Sequence, residues 1–314
     1  MRMRIAVLAG GVGAARFLQG LTAAYPDAEI TVIGNTADDI WLHGLKVCPD
    51  LDTVMYTLGG GIDPVNGWGR AQDSTGVLEE LRTYGVEPLW FTLGDKDIAT
   101  HLIRTQLLNA GVPLSQVTTA LCQRWQPGVN LLPMTDDRVE THVIVEAENP
   151  YAMHFQQWWV QHRAQLPVSG FRFVGIDEAK PGPGVLESII NADVVVLPPS
   201  NPVVSIGPVL AVPGMRDALH ASSAPVVAVS GIIDGRPVKG MADTCLRAIG
   251  VEPSAAAVAA HYGARSAGGI LDGWVYEAGD TAPEGIRRTL PTATLMTTPT
   301  AAAELARATV ELVR

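Results

Sequence analysis

The chain has 314 residues, 47% of them hydrophobic and 17% charged, the composition of a globular protein able to bury a large core. Its formal charge of −10 argues against nucleic acid as a partner, because no surplus of Lys and Arg exists to neutralise phosphates. No run approaches the length of an apolar span and the first residues lead straight into a strand, so no membrane segment and a cytoplasmic setting are expected; Cys48, Cys122 and Cys245, odd in number and widely spaced, read as buried thiols.

The first informative stretch is Arg4 to Phe17. Ile5 to Ala9 is a short apolar run with the length of a strand buried on both faces, and Gly10, Gly11 and Gly13 follow it before a helical pattern over Ala14 to Ala24. Such a turn brings backbone amides at a helix start close to a bulky anion, and a nucleotide diphosphate is its natural guest. The dinucleotide fingerprint is incomplete, since Arg16 stands where its third glycine belongs, and no Gly-Lys-Ser/Thr follows. An ordinary tight turn without a ligand is the competing reading.

Ile30 to Ile33 predicts a second buried strand, ending in Gly34-Asn35-Thr36 rather than in the ribose-binding acid of a dinucleotide enzyme. Asp38, Asp39, Asp50 and Asp52 then fall close together beyond strand ends, the last two just before a helix-like Val54 to Leu58. Two carboxylates about 4 Å apart repel by roughly 4 kcal/mol at an effective dielectric near 20, so converging acids imply a cation, a proton or a basic neighbour. A hard divalent ion suits that set, whereas caps and turns use the same residue type.

Thr57 to Gly69, glycine-rich with Trp68, reads as a loop over a site, and Ser74 to Tyr84 as a helix. Leu89 to Gly94 is predicted as a third strand, with Lys96 in the following turn a phosphate contact or a solvated surface charge, then a helix from Ile98 to Ala110. Beyond a helix at Ser115 to Trp125, the alternating Val139 to Val145 predicts one arm of a hairpin over Asn130 to Val145, bent at Asp136-Asp137. Tyr151 to Gln165 is predicted helical, with Trp158 and Trp159 as core or interface anchors.

A strand at Phe171 to Ile176 and a helix from Val185 to Asn191 lead to Ala192 to Leu197, which resumes the parallel core and runs into Pro198 to Pro208. There Ser200, Asn201 and Ser205 offer short polar groups beyond a strand end, Pro202 and Pro208 stiffen the backbone, and Gly207 permits close approach, so the loop either cradles a phosphate or base edge or is a rigid connection. A strand at Ala224 to Ser230, a loop with Asp234, Arg236 and Lys239, and helices at Ala255 to His261 and Thr300 to Val313 complete the chain. No linker or repeat divides it, so one α/β domain over 1–314 is expected, a three-layer sandwich on a mostly parallel sheet with hairpin and helical additions at about 115–170.

Taken together, Ala9 to Phe17, Asn35 to Asp39, Pro49 to Thr53, Gly94-Asp-Lys-Asp97, Pro133 to Asp136 and Pro199 to Pro208 resemble the 2-phospho-L-lactate transferase family of deazaflavin coenzyme F-420 biosynthesis. The resemblance implies a Rossmann-like, dimeric, magnesium-dependent transferase. Its members pass a phospho-acid, enolpyruvate or lactate joined to guanosine diphosphate, to the ribityl hydroxyl of the deazaflavin Fo and release GMP. It also implies binding roles for Gly10, Gly11, Gly13, Asn35, Thr36, Thr53, Lys96, Met134, Thr135, Asp136, Ser200, Asn201, Pro202, Ser205, Ile206 and Gly207. The metal falls to Asp39, Asp50 and Asp52, and the hydroxyl to Asp52, with Asp50 beside it. Two rivals share parts of the pattern: a non-catalytic nucleotide-sugar binder of the gluconeogenesis-factor type, and a nicotinamide oxidoreductase, which Arg16 and the missing strand-end acid disfavour.

Overall fold

The computed structural model describes residues 2–314. From the N-terminus come β1 (Arg4–Ala9), α1 (Gly11–Ala24), β2 (Glu29–Gly34), a small hairpin of β3 (Ile40–Leu42) and β4 (Leu45–Val47), and α2 (Pro49–Leu58). Three helices follow, α3 (Gly76–Thr83), α4 (Asp95–Asn109) and α5 (Leu114–Trp125), then β5 (Asn130–Pro133), β6 (Glu140–Val145), β7 (Tyr151–His154) and β8 (Val168–Val174). The second half holds α6 (Val185–Ile190), β9 (Val194–Leu197), α7 (Ile206–Ala211), α8 (Met215–Ala221), β10 (Val226–Val229) and the short pair β11 (Ile232–Ile233) and β12 (Arg236–Pro237). It closes with α9 (Ala242–Ala248), α10 (Ala255–Tyr262), β13 (Gly273–Glu277), β14 (Arg288–Thr292) and α11 (Pro299–Glu311).

Seven strands form one sheet in the order β14-β13-β10-β9-β1-β2-β5, with every neighbouring pair parallel. The near-continuous apolar runs of β1 and β9 suit strands covered on both faces. Along β1, Ile5, Val7 and Ala9 pack into a core with Phe17 and Leu21 of α1, Val54 of α2 and Leu305 of α11. Ala6 and Leu8 point the other way, into a core shared with Val209 of α7, Leu219 of α8 and Val258 of α10. This period-two alternation makes the expected Rossmann-like three-layer α/β sandwich.

Several local expectations change. β5 joins the central sheet beside β2, while β6 pairs with β7 and β8 in a separate antiparallel sheet. Asn130 to Val145 is therefore two strands of two sheets and not a hairpin. The predicted helix over Tyr151 to Gln165 is instead β7 followed by one wide turn at Gln157–Gln161. Because α5 packs on β5 and α2, the added region is the β6–β8 sheet, later in the chain than 115.

Leu89 to Gly94 forms no strand: Leu93 packs with Leu42 and Val47 in a small cluster, and Phe91 faces a cavity. Conversely, β13 and β14 extend the sheet where no strand is expected. β14 is a half-exposed edge strand carrying Pro291, which the edge position tolerates because its N–H side need not be paired.

A candidate nucleotide and acceptor site at the switch point

β1 lies between β2 and β9, so the chain leaves its strand end in one direction and returns to the sheet on the other side. Open α/β sheets bind ligands at such a reversal, beyond the carboxyl ends of the strands. A cavity of about 560 Å³ occupies this place, lined by Gly10, Gly11 and Gly13 after β1 and by Ser200, Asn201, Pro202 and Ser205 after β9. The two turns read from the sequence as separate signals thus face one space.

Each turn is built to keep polar groups available. Helix α1 starts at Gly11 with no side-chain cap and no acid in its own first turn; the Gly11 amide serves the Asp50 carboxylate, and the amides that follow it in the first turn are left for an anion. A β-carbon on Gly10 would stand 2.7 Å from both Asp50 Oδ2 and Ser205 Cβ, and one on Gly13 would stand 2.3 Å from the Pro199 carbonyl oxygen. Only glycine lets the two turns approach so closely. In the β9 loop, Asn201 Oδ1 accepts the amides of Val203 and Val204 at 3.0 and 3.3 Å, which braces the bend, while the buried Ser200 Oγ has no partner.

The four aspartates separate into two kinds. Asp39 and Asp52 are neutralised from within the protein: Lys46 Nζ sits 3.1 Å from Asp39 Oδ2, and Cys48 Sγ donates to the same oxygen at 3.0 Å. Burial still holds the Asp39 carboxyl above its ordinary range, against the pull of Lys46. Arg104 grips Asp52 with both guanidinium ends, one through Nη1 to Oδ2 at 3.1 Å and the other through Nη2 to Oδ1. Burial opposes the charge of Arg104, yet Asp52 raises its pKa above the usual arginine value.

Asp38 and Asp50 line the cavity and, among the described residues, have no such cation. Burial first and the charge of Asp50 second push the Asp38 carboxyl well up, and its Oδ1 has no hydrogen-bond partner. Asp50 is pushed up to about 6, mainly by burial, although Asn35 Nδ2 donates to its Oδ2 at 2.9 Å. Asn35 itself is fully buried, donating also to the Val204 carbonyl, so it ties the acid to the β9 loop.

The expected metal trio of Asp39, Asp50 and Asp52 is divided in this geometry, with Asp50 alone of the three lining the cavity. Among the described residues no three His, Cys, Asp or Glu converge as metal ligands, and Asp39 and Asp52 are not among the residues that line the cavity. Thr53 does line it; Thr36, Ile206 and Gly207 do not. Lys96 is also placed elsewhere, donating to the Ala71 carbonyl at 3.2 Å and to that of Gln72. Asp136 caps α5 through the Ser115 amide and hydroxyl at 2.6 and 2.8 Å, Thr135 Oγ1 donates to the Lys180 carbonyl, and Met134 is core. That family stretch thus ties α5 to the loop at Lys180 and is not among the residues that line the cavity.

Sequence reading placed Asp38 among the clustered acids but gave it no role, and it missed an apolar wall of Phe91, Phe155 and Trp159 facing the cavity beside Trp68. Trp158 is the buried core residue expected, but Trp159 is 37% exposed and faces the cavity. His154 at the end of β7 and Gln156 just after it hold the acid turn by hydrogen bonds to the carbonyls of Asp39 at 3.2 Å and Asp38 at 3.3 Å.

A doubly covered parallel sheet, an amide-lined switch-point crevice, two uncompensated acids and an aromatic wall define an α/β protein with a ligand crevice of the nucleotide-binding kind. The model of the 2-phospho-L-lactate transferase CofD family matches residues 5–309, and the chain belongs to that family. It is 58% identical over 315 residues to the phosphoenolpyruvate transferase of Nocardia farcinica, covering 98% of this chain and 94% of that one. To the phosphoenolpyruvate transferase of Streptomyces griseus it is 59% identical over 318 residues, covering 99% and 98%. A crystal structure of a upf0052 family protein from Bacillus halodurans shares the fold at TM-score 0.65 with 18% identity, over 99% of both chains.

Proposed function

We propose that this chain transfers a phosphoenolpyruvyl group from its guanosine diphosphate conjugate to the terminal ribityl hydroxyl of Fo, releasing GMP. The observation that carries the reading is the single cavity joining the Gly10–Gly13 amides, the Ser200 loop, the Asp38 and Asp50 carboxylates and the aromatic wall. The names of the relatives favour enolpyruvate over lactate as the acid carried.

Phosphoryl transfer needs positioning and charge neutralisation more than a covalent nucleophile. The free amides of α1 and the Ser200 hydroxyl hold the diphosphate; Trp68, Phe91 and Trp159 take the deazaflavin face. The ribityl oxygen attacks the phosphorus that bears the phospho-acid, and the P–O bond to GMP breaks with its electron pair leaving on GMP. The hydroxyl proton passes to Asp50, which lines the cavity beside the α1 turn.

Asp38 and Asp50 are also the residues that would hold magnesium, since the Asp38 Oδ1 lacks a partner and this ion uses one or two carboxylates together with substrate phosphates. Bound there, it would supply charge stabilisation to the diphosphate oxygens. No helix among the described residues is long and apolar enough to cross a membrane. The family resemblance supports a cytoplasmic homodimer, which light scattering would test.

Incubation with Fo, magnesium and the enolpyruvyl or lactyl conjugate should give a product heavier than Fo by the phospho-acid, with one GMP per turnover. Tight GDP binding with no product from either donor would overturn the assignment.

A further inference from the structure

The cavity also carries two cations that the proposed chemistry leaves unassigned. Arg16 and Lys239 both line it, and among the described residues they are its only Lys or Arg residues. Among the described residues neither makes an ion pair, whereas Lys46 and Arg104 nearby are both committed to aspartates.

Their mutual placement follows from α1. Val12 and Arg16 are four residues apart and so share one helix face, and the arginine side chain leans back over the turn that carries Val12. A β-carbon on Gly67 would stand 2.8 Å from Val12 Cγ1 and 3.3 Å from Lys239 Nζ, so the lysine reaches the same spot from the opposite loop. Its ammonium donates to one backbone carbonyl, that of Asn66, leaving two N–H donors. Desolvation and then the charge of Arg16 lower the Lys239 pKa, as expected for two cations held together without an acid.

In a chain with 32 acids and 22 bases, two adjacent unpaired cations facing a cavity call for an anion from outside. The diphosphate is already served by the α1 amides, the Ser200 hydroxyl and the Asp38–Asp50 cation site. The donor's remaining formal charge is the carboxylate of its phospho-acid. We propose that Arg16 and Lys239 form the subsite for that carboxylate, so that they select a phospho-acid conjugate over an uncharged phosphoester. This rests on the transferase reading and deepens it.

The test separates the two halves of the donor. With GMP present, phosphoenolpyruvate should bind the parent protein at least tenfold more tightly than inorganic phosphate, measured by calorimetry. Lys239→Ala and Arg16→Ala should each erase most of that preference and raise the KM for the donor about tenfold or more. GDP affinity and the KM for Fo should stay within about twofold, and Lys239→Arg should recover part of the loss. A parallel drop in GDP affinity would make these residues phosphate contacts, a rise confined to Fo would make them acceptor contacts, and no change would leave them outside recognition; each overturns the proposal. Failure of the parent to make product, with the carboxylate preference intact and lost in the variants, would sink the transferase reading alone.

Discussion

Cutting the Asp52–Arg104 pair tests whether Asp52 works on the substrate or holds the frame. Asp52 is 5% and Arg104 1% exposed, and Arg104 Nη1 also reaches His101 Nδ1 at 3.1 Å. His101 in turn places Nε2 3.5 Å from Asp97, whose carboxyl also accepts the Tyr56 hydroxyl at 2.6 Å, so α2 and α4 are joined by one polar chain. Arg104→Met leaves a buried carboxylate uncompensated, a loss of about 3–5 kcal/mol. With an unfolding entropy of about 2.1 cal/mol/K per residue, that lowers Tm by roughly 5–8 °C for a chain of this size. Asp52→Leu alone strands the arginine and should cost a similar amount. The double variant Asp52→Leu/Arg104→Met removes both charges and should recover at least half of the loss, with turnover within about tenfold of the parent. Melting curves and GMP release read the two halves of this expectation. A stable double variant with turnover down a thousandfold would show that Asp52 acts on the substrate and that the structural argument is wrong.

Two further expectations follow from the acids and the glycines. Asp50 has a folded pKa of about 6 against an ordinary value of 3.8, so it binds its proton more tightly when folded and its contribution to stability falls as pH rises from about 4 to 6. Asp50→Asn should therefore match the ligand-free parent near pH 4 and exceed it by up to about 3 kcal/mol at pH 7–8 in denaturant titrations, while turnover collapses; an equal offset at both pH values would contradict the cause given. Gly10→Ala puts a methyl against Asp50 and Ser205, so it should cost about 1–3 kcal/mol and weaken GDP binding; unchanged calorimetric affinity would count against the close approach of the two turns.

The parts of the site legible in the sequence are those whose chemistry is local. A buried run ending in clustered glycines, and another ending in Pro-Pro-Ser-Asn-Pro, announce strand ends with ligand-facing loops wherever they fall in the sheet. What the two loops share is decided by strand order, since β1 and β9 become neighbours across the 184 residues between Ala9 and Val194, a pairing that no pattern within either stretch encodes.

The division of the aspartates was half legible. Residues two apart on a helix do not face the same way, so Asp50 and Asp52, both in the first turn of α2, were bound to serve different neighbours. Which of them met the cavity depended on Arg104, a partner 52 positions along the chain whose role only packing reveals. The same logic explains Lys96 and Asp136. Each sits beside a turn that resembles a ligand loop, and each is consumed by the backbone of its own surroundings, because a turn's orphan amides and carbonyls must be satisfied whether or not a substrate is near. A polar residue in a glycine-rich turn therefore becomes a ligand contact only where the fold leaves it unpartnered. By that measure Asp38 and Ser200, each with an unpartnered buried oxygen, and Arg16 and Lys239, without an ion pair among the described residues, are candidates for ligand contact, and all four line the same cavity.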